Sequence, residues 1–573
     1  MPDARSVLEG RLQAAFDTVE PGADPVLRAS DRADFQANGA LALAKRLGRD
    51  PRQVAEAVVA VAPLSDVCEA VEISGPGFVN LTLSAEFIAR QLSALAADGR
   101  LGIEPATRPE TVVVDYSAPN VAKEMHVGNL RSTIIGDALC RILGHLGHTV
   151  HRENHVGDWG TPFGMLIEHL VDLGEQEAAQ ELSVGDLGAF YKEARASFDA
   201  DEGFSERSRH RVVLLQSGDA ETLRLWRVLV AESVRYFDDV YAKLGVLLTD
   251  DDIVGESFYN PMLPQVVADL EASGLLVEDG GARCVFPPGF TNRDGDPLPL
   301  IVQKSDGGYG YAATDLASIR DRVDRIGATR ILYVVGAPQA QHLSMCFAVA
   351  TMAGWLPEGT AAEHVAFGSV LGADRKMFKT RAGDSVKLVE LLDEAVARAS
   401  AAMAERESDM DPTERDQVAR SLGIGAVKYA DLSNDRIRDY VFDFDRMLAF
   451  EGNTGPYLQY AHARIRSIFR RGEVAAPDPA VPPSLSSPEE RALALAVLGF
   501  AEAVSAAADL SAPSKLCAYL LDLASTFTTF YERCPVLRAD EEARRSRLLL
   551  SDVSARVLSA GLGLLGIDAP DRM

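Results

Sequence analysis

The stretch DYSAPNVAKEMHVGNLRSTIIGD, residues 115–137, decides the fold. It follows the apolar run Val112–Val114, and its proline-containing loop leads through the tetrapeptide HVGN (126–129) into a helical pattern. Glycine lets a ligand approach the backbone, and the free N–H groups at the start of a helix attract phosphate. The pattern therefore predicts a strand, a phosphate-binding turn and a helix, although an ordinary helix-start turn would explain those four residues equally well.

A second motif lies far downstream, where RKMFKTRAG (375–383) places four cations within residues 375–381. A basic loop of this kind can clamp a triphosphate and neutralise the charge on departing pyrophosphate. An exposed basic turn is the simpler interpretation of these residues alone. Both motifs follow predicted strands of one α/β unit, and that combination favours a nucleotide site.

Short β-branched runs alternate with helical patterns in the middle of the chain. The runs are VVVDY (112–116), ILYVV (331–335) and HVAFGSVL (364–371). This alternation predicts a Rossmann-type parallel sheet with crossover helices. We expect residues 106–386 to form this α/β domain, with a helical insertion at about 175–235 between the two halves of the sheet.

The two ends of the chain have different patterns. Residues 1–105 predict a small α/β domain, with a helix-like stretch at Phe35–Leu47 and a strand at Gly77–Leu83. Amphipathic helical patterns replace the strand patterns in residues 387–573, which predicts an α-helical bundle.

Composition excludes several classes of protein. The chain has 573 residues with 47% hydrophobic and 25% charged residues, which fits a folded protein of several domains. No apolar run is long enough for a membrane span, and no signal sequence is recognisable, so we expect a cytoplasmic protein without a membrane partner. The six cysteines show no C-x-x-C pair, and the histidines show no metal-binding spacing, so we predict no bound metal in the protein itself. A net charge of −27 means that any nucleic acid must bind at local basic patches.

The two motifs together resemble those of class I aminoacyl-tRNA synthetases, with HVGN similar to the HIGH motif and KMFK (376–379) similar to the KMSK loop. The resemblance narrows to arginyl-tRNA synthetases and runs from about Ser30 to the end of the chain. Two positions depart from the family pattern: Asn129 stands where a histidine is usual, and Phe378 stands where a serine is usual. The segments that carry the narrower resemblance are DYSAPNVAKEMHVG (115–128), ENHVGDWGTPFGMLIEHL (153–170), KTRAGDSVKL (379–388) and LAFEGNTGPYLQYAHAR (448–464).

The resemblance implies an enzyme that activates L-arginine with ATP and Mg²⁺ and then transfers it to the terminal adenosine of tRNA(Arg). Activation in this family needs the tRNA to be bound. The family is usually monomeric. The residues that the resemblance assigns to catalysis are His126, Asn129, Lys376 and Lys379. Those that it assigns to ATP binding are His126, Gly128, Asn129, Met377, Phe378 and Lys379.

Arginine itself is expected to meet Asp115, Tyr311 and Asp315 at its guanidinium. A planar guanidinium with five donors is best matched by carboxylates. Tyr311 and Asp315 would lie on one face of a helix, since they are four residues apart. An N-terminal cap and a core tyrosine would be the structural alternative. The other residues that the resemblance assigns to arginine are Ser117, Asn120 and Gln339.

Two local segments are candidates for tRNA contact. Phe35, Gln36 and Asn38 lie in a net basic stretch near the N-terminus, and Arg464 and Arg466 belong to a basic run in the C-terminal part. Arginine and aromatic side chains suit unpaired bases. Either segment would also fit a solvent-exposed helix face.

Two other functions remain open at the level of the sequence. The first is a paralogue of the synthetase that serves antibiotic resistance or a biosynthetic pathway, which Asn129 keeps open. The second is an inactive tRNA-binding regulator. His126, Lys379 and Asp315 argue against the second, because an inactive protein has no need to keep them.

Overall fold

The computed structural model describes residues 4–174, 187–378, 386–404 and 410–573. These residues form a small N-terminal α/β domain, a central parallel sheet with helices on both sides, and a C-terminal helical domain. The strands are β1 Leu27–Ala29, β2 Phe35–Ala37, β3 Cys68–Ser74, β4 Phe78–Leu83, β5 Thr111–Asp115, β6 Thr149–Glu153, β7 Val277–Asp279, β8 Ala282–Val285, β9 Leu300–Gln303, β10 Arg330–Tyr333, β11 Ala361–His364, β12 Val370–Leu371 and β13 Tyr440–Val441.

The α-helices run from the N-terminal domain to the C-terminal bundle. They are α1 Ala4–Val19, α2 Gly39–Leu47, α3 Pro51–Val61, α4 Ala85–Ala97, α5 Val127–His145, α6 Pro162–Leu173, α7 Leu187–Ala200, α8 Glu202–Ser217, α9 Ala220–Leu244, α10 Glu256–Tyr259, α11 Leu263–Ala272, α12 Tyr311–Asp324, α13 Ala340–Met352, α14 Leu388–Ala404, α15 Pro412–Leu432, α16 Phe444–Met447, α17 Gly455–Gly472, α18 Pro488–Leu498, α19 Phe500–Asp509, α20 Ser514–Arg533 and α21 Glu541–Leu564.

The N-terminal domain is an antiparallel sheet in the order β1-β2-β4-β3 with helices packed against it. The predicted strand at Gly77–Leu83 is confirmed as β4. The predicted helix at Phe35–Leu47 is wrong in its first residues, because Phe35–Ala37 pair with β1 on one side and β4 on the other. Pairing on both sides fixes these residues as a strand, and helix α2 begins only at Gly39.

The central sheet is parallel in the order β11-β10-β5-β6, as the alternating pattern predicted. Its register places Asp115 beside Tyr333 on one side and beside Glu153 on the other, so their side chains share the carboxyl edge of the sheet. Ligands of open α/β sheets bind at that edge. Helix α5 packs tightly under it, since a Cβ added at Gly136 would lie 2.3 Å from the Tyr116 side chain.

The predicted insertion between the halves of the sheet is helical in its described part. Helices α7, α8 and α9 lie between β6 and β10 in the chain, and a small antiparallel sheet of β7, β8 and β9 follows them. This arrangement leaves the carboxyl edge of the central sheet bordered by the insertion.

The C-terminal helical domain packs directly on helix α5. Arg131 of α5 and Asp431 of α15 form a buried ion pair with 3.0 Å between Nε and Oδ2, and strand β13 pairs with β12 beside the second motif. One stretch, Pro488–Asp509, is long and apolar enough to cross a membrane by composition, with a mean hydropathy of 1.6, and half of it is buried within this domain. The predicted fold class is confirmed, and the domain limits at residues 105 and 386 stay predictions.

Candidate active site

The first motif forms the start of helix α5. His126 is the N-terminal cap: its Nδ1 accepts a hydrogen bond from the Gly128 amide at 3.0 Å, and the Asn129 Oδ1 accepts one from the His126 amide at 3.0 Å. Burial and the nearby charge of Lys123 lower the pKa of His126. The imidazole is therefore neutral near pH 7, and its proton sits on Nε2 because Nδ1 is an acceptor. The remaining N–H can donate to a ligand oxygen.

A cavity of about 210 Å³ opens beside this cap. It lies between the start of α5, the end of β10 and the segment that follows β11, and the second motif closes one side. Its described lining contains no carboxylate. The lining residues are His126, Val127, Gly128, Arg131, Gly336, Pro338, Phe367, Gly368, Ser369, Val370, Met377 and Phe378.

The second motif is a tight turn against strand β12. The Phe378 amide donates to the Val370 carbonyl at 3.2 Å, and the Phe378 ring stacks on Phe442 with 5.1 Å between centroids. This stacking is a physical reason for an aromatic residue at the usual serine position. Lys376 is exposed on the turn, and Lys379 lies outside the described residues.

Tyr311 and Asp315 lie in the first turns of helix α12, as their spacing predicted. The Tyr311 side chain is 76% exposed. The Asp315 Oδ2 lies 2.5 Å from the His342 Nε2, and the two side chains are 23% and 30% exposed. Asp315 therefore has an accessible carboxylate whose hydrogen-bond partner among the described residues is a titratable side chain.

Asp115 is placed differently from Asp315. Its Oδ2 accepts a hydrogen bond from the Arg322 Nη2 at 2.7 Å, and the Arg322 Nε donates to the Glu153 Oε2 at 2.6 Å. Arg322 is completely buried. The carboxylate that was predicted to meet the substrate guanidinium thus already meets a guanidinium of the protein.

The other predicted arginine ligands are spread around this edge. The Ser117 hydroxyl is buried and lies 2.8 Å from the Tyr241 hydroxyl, with a backbone φ of 71°. Asn120 is exposed and its backbone bridges to Gly157, and Gln339 is exposed at the residue before helix α13. Ser117 is therefore tied into a buried network, whereas Gln339 precedes the helix that carries His342, the partner of Asp315.

Sequence reasoning missed two acidic or basic residues at this site. His342 follows Gln339 by one turn, so a helix starting there would have indicated it. Glu256, at the start of α10, has its pKa raised from 4.5 to about 7 by burial and by the charges of Asp158 and Asp315. No local pattern in the sequence could have placed Glu256 near Asp315.

One group of possible metal ligands occurs among the described residues. The donor atoms of Asp315, His342 and Cys346 lie within 4.8 Å of one another. The His342 nitrogen is already shared with Asp315, so hydrogen bonding explains the group without an ion. The expectation of no bound metal stays a prediction.

A second cleft, of about 670 Å³, opens in the helical domain. The Arg464 guanidinium lies over the Tyr531 ring at 4.2 Å from its centroid, and burial and the charge of Arg572 lower the pKa of Arg470. Four arginines thus line one cleft, where Arg572 lies 3.5 Å from the Glu414 carboxylate and Arg470 donates to the Asp571 carbonyl. The lining residues are Met410, Tyr460, Ala463, Arg464, Ser467, Arg470, Arg471, Tyr531, Arg572 and Met573.

The other residues predicted for tRNA contact lie outside this cleft. The Arg466 guanidinium lies 3.5 Å from carboxylate oxygens of both Asp552 and Asp571. In the N-terminal domain, Gln36 donates from its side chain to the Asn80 Oδ1 at 2.7 Å, beside Phe35 on strand β2. Asn38 precedes helix α2 and makes no capping hydrogen bond.

The parallel sheet, the HVGN cap and the adjoining basic turn define a class I aminoacyl-tRNA synthetase. Residues 91–444 match the family model described as tRNA synthetases class I (R), catalytic domain. Residues 458–573 match the DALR anticodon binding domain, and residues 4–83 match the arginyl tRNA synthetase N terminal domain. The chain belongs to the arginyl-tRNA synthetase family.

Relatives and solved structures agree with this assignment. The chain is 56% identical to the arginine–tRNA ligase of Thermobifida fusca (strain YX), with 100% of both chains covered. It is 50% identical to that of Synechococcus sp., with 99% of both covered. The arginyl-tRNA synthetase of Plasmodium falciparum is similar with a TM-score of 0.86 at 31% identity and full coverage of both chains. That of Thermus thermophilus has a TM-score of 0.84 at 27% identity and covers 99% of this chain and 100% of its own.

Proposed function

We propose that this arginine–tRNA ligase recognises the guanidinium of its substrate through Asp315, with Tyr311 beside it. The observation that carries the proposal is the accessible carboxylate of Asp315, whose partner His342 is itself a weak and titratable cation. A guanidinium is a permanent cation with paired donors, so it can take the place that a fixed ion partner would fill. Asn120 and Gln339 would hold the amino and carboxylate ends of arginine.

ATP is proposed to occupy the cavity beside His126. The reaction has two steps: the arginine carboxylate attacks the α-phosphate and expels pyrophosphate, and a hydroxyl of the terminal tRNA adenosine then attacks the activated carbonyl and expels AMP. The helix N-terminus and the His126 Nε2–H suit the negative charge that grows on the phosphate. Asn129 and Lys376 are proposed to assist, together with Lys379 of the second motif.

Mg²⁺ would have to arrive with the nucleotide. The described lining of the cavity offers no carboxylate, and Mg²⁺ in such sites is commonly held by substrate phosphates with one or two carboxylates. The residues present therefore do not form a magnesium site by themselves. We expect the ion to be bound by the phosphates of ATP.

The cleft in the helical domain is proposed to bind an unpaired base of tRNA(Arg). Tyr460 and Tyr531 offer stacking surfaces and the surrounding arginines offer charge for the backbone. Phe35, Gln36 and Asn38 are proposed to contact another part of the same tRNA. We further propose that the enzyme works in the cytoplasm and that it is a monomer. Sedimentation of the purified protein would test its oligomeric state.

Arg464 and Arg466 allow a matched test of the cleft. Arg464→Ala should raise the KM for tRNA about tenfold, since a stacked contact contributes roughly 1–3 kcal/mol. Arg466→Ala should do less, because two carboxylates hold its guanidinium. Equal effects of the two substitutions would mean that charge alone, and not the cleft, binds the RNA.

Asp315→Asn tests the arginine site. The change keeps the volume but removes the charge, and breaking one half of a desolvated charge pair costs about 2–5 kcal/mol, or roughly 30- to several-thousand-fold. The loss should appear in kcat/KM for arginine in tRNA charging, while the KM for ATP stays within about threefold. Equal loss for both substrates would make Asp315 a structural residue, and no loss for arginine would remove it from the site.

A further inference from the structure

A thiol group, that of Cys346, lies next to the hydrogen bond between Asp315 and His342. The Cys346 Sγ lies 3.6 Å from the same His342 nitrogen, one turn further along helix α13. Cys346 is fully buried, and burial raises its pKa well above the usual value, so it stays a neutral thiol. The His342 Nε2 thus lies beside both a neutral thiol and a carboxylate, and Asp315 is its electrostatic partner.

We propose that His342 is a positioning residue for arginine: its Nε2–H holds the Asp315 carboxylate in place, and the binding of arginine expels the second proton of its imidazolium into solvent. The inference rests on the proposed contact between Asp315 and the substrate guanidinium. In the free enzyme the imidazolium supplies the charge that balances Asp315. In the complex the guanidinium supplies it, and two cations on one carboxylate repel each other.

Other ionisable groups interact with this pair or lie beside it. Asp315 faces His342 from helix α12, Cys346 lies on the same helix as His342, and Glu256 on α10 and Tyr333 on β10 both feel the charge of Asp315. The hydrogen bond to Asp315 raises the pKa of His342 above its usual value of 6.5, against the opposing effect of burial. Tyr333 and Cys346 stay neutral near pH 7, so His342 and Glu256 are the groups that can exchange protons when arginine binds.

The sign of the effect follows from linkage. Arginine binds the form of the site in which His342 has lost its extra proton, so its affinity falls as the pH drops below the pKa of His342 in the free enzyme. Over the pH range in which His342 is protonated only in the free enzyme, the dissociation constant for arginine should rise by about tenfold for each unit by which the pH falls. Up to one proton should be released for each arginine bound.

Calorimetry on the enzyme bound to its tRNA tests this inference. Arginine is titrated between pH 6 and pH 8.5 in two buffers of different protonation enthalpy, which counts the protons released. The wild-type enzyme should release protons at low pH, and the dissociation constant should follow the slope given above. The number of protons released is measured on the wild-type enzyme, so this test does not depend on whether a variant folds. Absence of proton release at pH 6 would overturn the proposal.

Substitutions separate positioning from titration. His342→Gln keeps an N–H donor for Asp315 without a titratable group, so its affinity at pH 8.5 should match the wild type. Its affinity should change with pH much less than that of the wild type, with Glu256 as the remaining titrating group. His342→Ala lacks the donor, and its affinity should be about tenfold weaker at every pH, because a hydrogen bond to a charged group contributes roughly 1.5–3 kcal/mol. A His342→Gln enzyme with the wild-type pH slope would overturn the proposal.

Further variants show which residue releases the proton, and they test separately the proposed contact between Asp315 and arginine. Glu256→Gln removes the other group that titrates in this range, and the proton release that remains in this variant belongs to His342. His210→Gln, at an exposed position of helix α8, should behave as the wild type at every pH. If Asp315→Asn binds arginine normally, the proposed contact itself fails; if it weakens binding while His342→Gln keeps the pH slope, only the role of His342 fails.

Discussion

Two carboxylates at the carboxyl edge of the sheet were both expected to meet arginine, and the structure gives them different surroundings. Asp115 is 8% exposed and bonded to Arg322, which is completely buried. Asp315 is 23% exposed and bonded to His342, which is 30% exposed. A carboxylate with a buried permanent cation is already neutralised within the fold. One with a titratable partner on an accessible face can still accept a cation from solution.

The largest expected effect concerns the charge of the substrate. Citrulline has the shape of arginine, but a neutral urea replaces its guanidinium. A site built to bond a specific head group rejects analogues that lack it by about 10⁴–10⁵. We expect a discrimination of that order in kcat/KM, measured by tRNA charging with each amino acid.

The same measurement on Asp315→Asn decides which carboxylate discriminates. If Asp315 is the open carboxylate, its replacement should bring the two amino acids closer together by weakening arginine alone. Full discrimination in Asp315→Asn would transfer that role to another carboxylate, with Asp115 the first candidate.

The second effect concerns Asp115 and stability. Asp115→Asn leaves the buried Arg322 with Glu153 as its remaining carboxylate partner, and removing one partner of a buried ion pair costs about 3–5 kcal/mol. The three tryptophans, Trp159, Trp226 and Trp355, all lie in the central part of the chain. Their fluorescence during urea denaturation should therefore report a loss of this size in the free energy of unfolding.

An exposed ion pair serves as the control for Asp115→Asn. Glu271 and Arg283 lie 2.9 Å apart with side chains that are 60% and 38% exposed, so Glu271→Gln should cost less than about 1 kcal/mol. If Asp115→Asn proves as stable as this control and raises the KM for arginine, Asp115 is a substrate ligand. The proposed difference between Asp115 and Asp315 would then be wrong.

A third carboxylate, Glu256, sharpens the comparison because burial and neighbouring carboxylates, rather than a cation, govern its pKa. The pKa of Glu256 is raised from 4.5 to about 7, first by burial and then by Asp158 and Asp315. A raised pKa for an acid means that the folded state favours the protonated form, so stability is lost as the pH rises from about 4.5 to about 7. Glu256→Gln removes that loss.

The expected gain from Glu256→Gln depends on pH. At pH 8 the variant should be more stable by up to about 3 kcal/mol, since each unit of pKa shift corresponds to about 1.4 kcal/mol. At pH 5 the gain should fall below about 1 kcal/mol. Thermal melting at the two pH values checks this, and an equal gain at both would show that packing, and not charge, is responsible.

The sequence predicted the elements better than the partners of their side chains. The β-branched runs and the HVGN turn gave the parallel sheet and the capped helix because both patterns are local. The partner of Asp115 is not local: Arg322 lies 207 residues further along the chain, and no pattern in either segment announces the pair. A resemblance assigns a carboxylate to a ligand, but it does not show whether the protein has already neutralised that carboxylate.

The same limit explains the residues that were missed or misplaced. Phe35–Ala37 became a strand through pairing with two other strands, which local propensity cannot foresee. His342 could have been found, since it lies one turn after Gln339 on a helix. Glu256 could not, because it lies 59 residues before Asp315 in the chain, and only the folded structure brings their charges together.

The smallest expected effect lies at the nucleotide end and serves as a reference for both carboxylates. Asn129 stands at the usual histidine position, and its Oδ1 already accepts the His126 amide in the helix cap. A histidine there can accept the same hydrogen bond through Nδ1 and adds a donor or a cation near the phosphates. Asn129→His should therefore leave kcat unchanged or raise it by up to about tenfold. The KM for arginine should stay constant, because the arginine end holds different residues, and steady-state kinetics with each substrate varied in turn measures both. A hundredfold fall in kcat would mean that the pocket is adapted to asparagine. A changed KM for arginine would mean that the two ends of the site are coupled. In that case the effects of Asp315→Asn could no longer be assigned to the guanidinium alone.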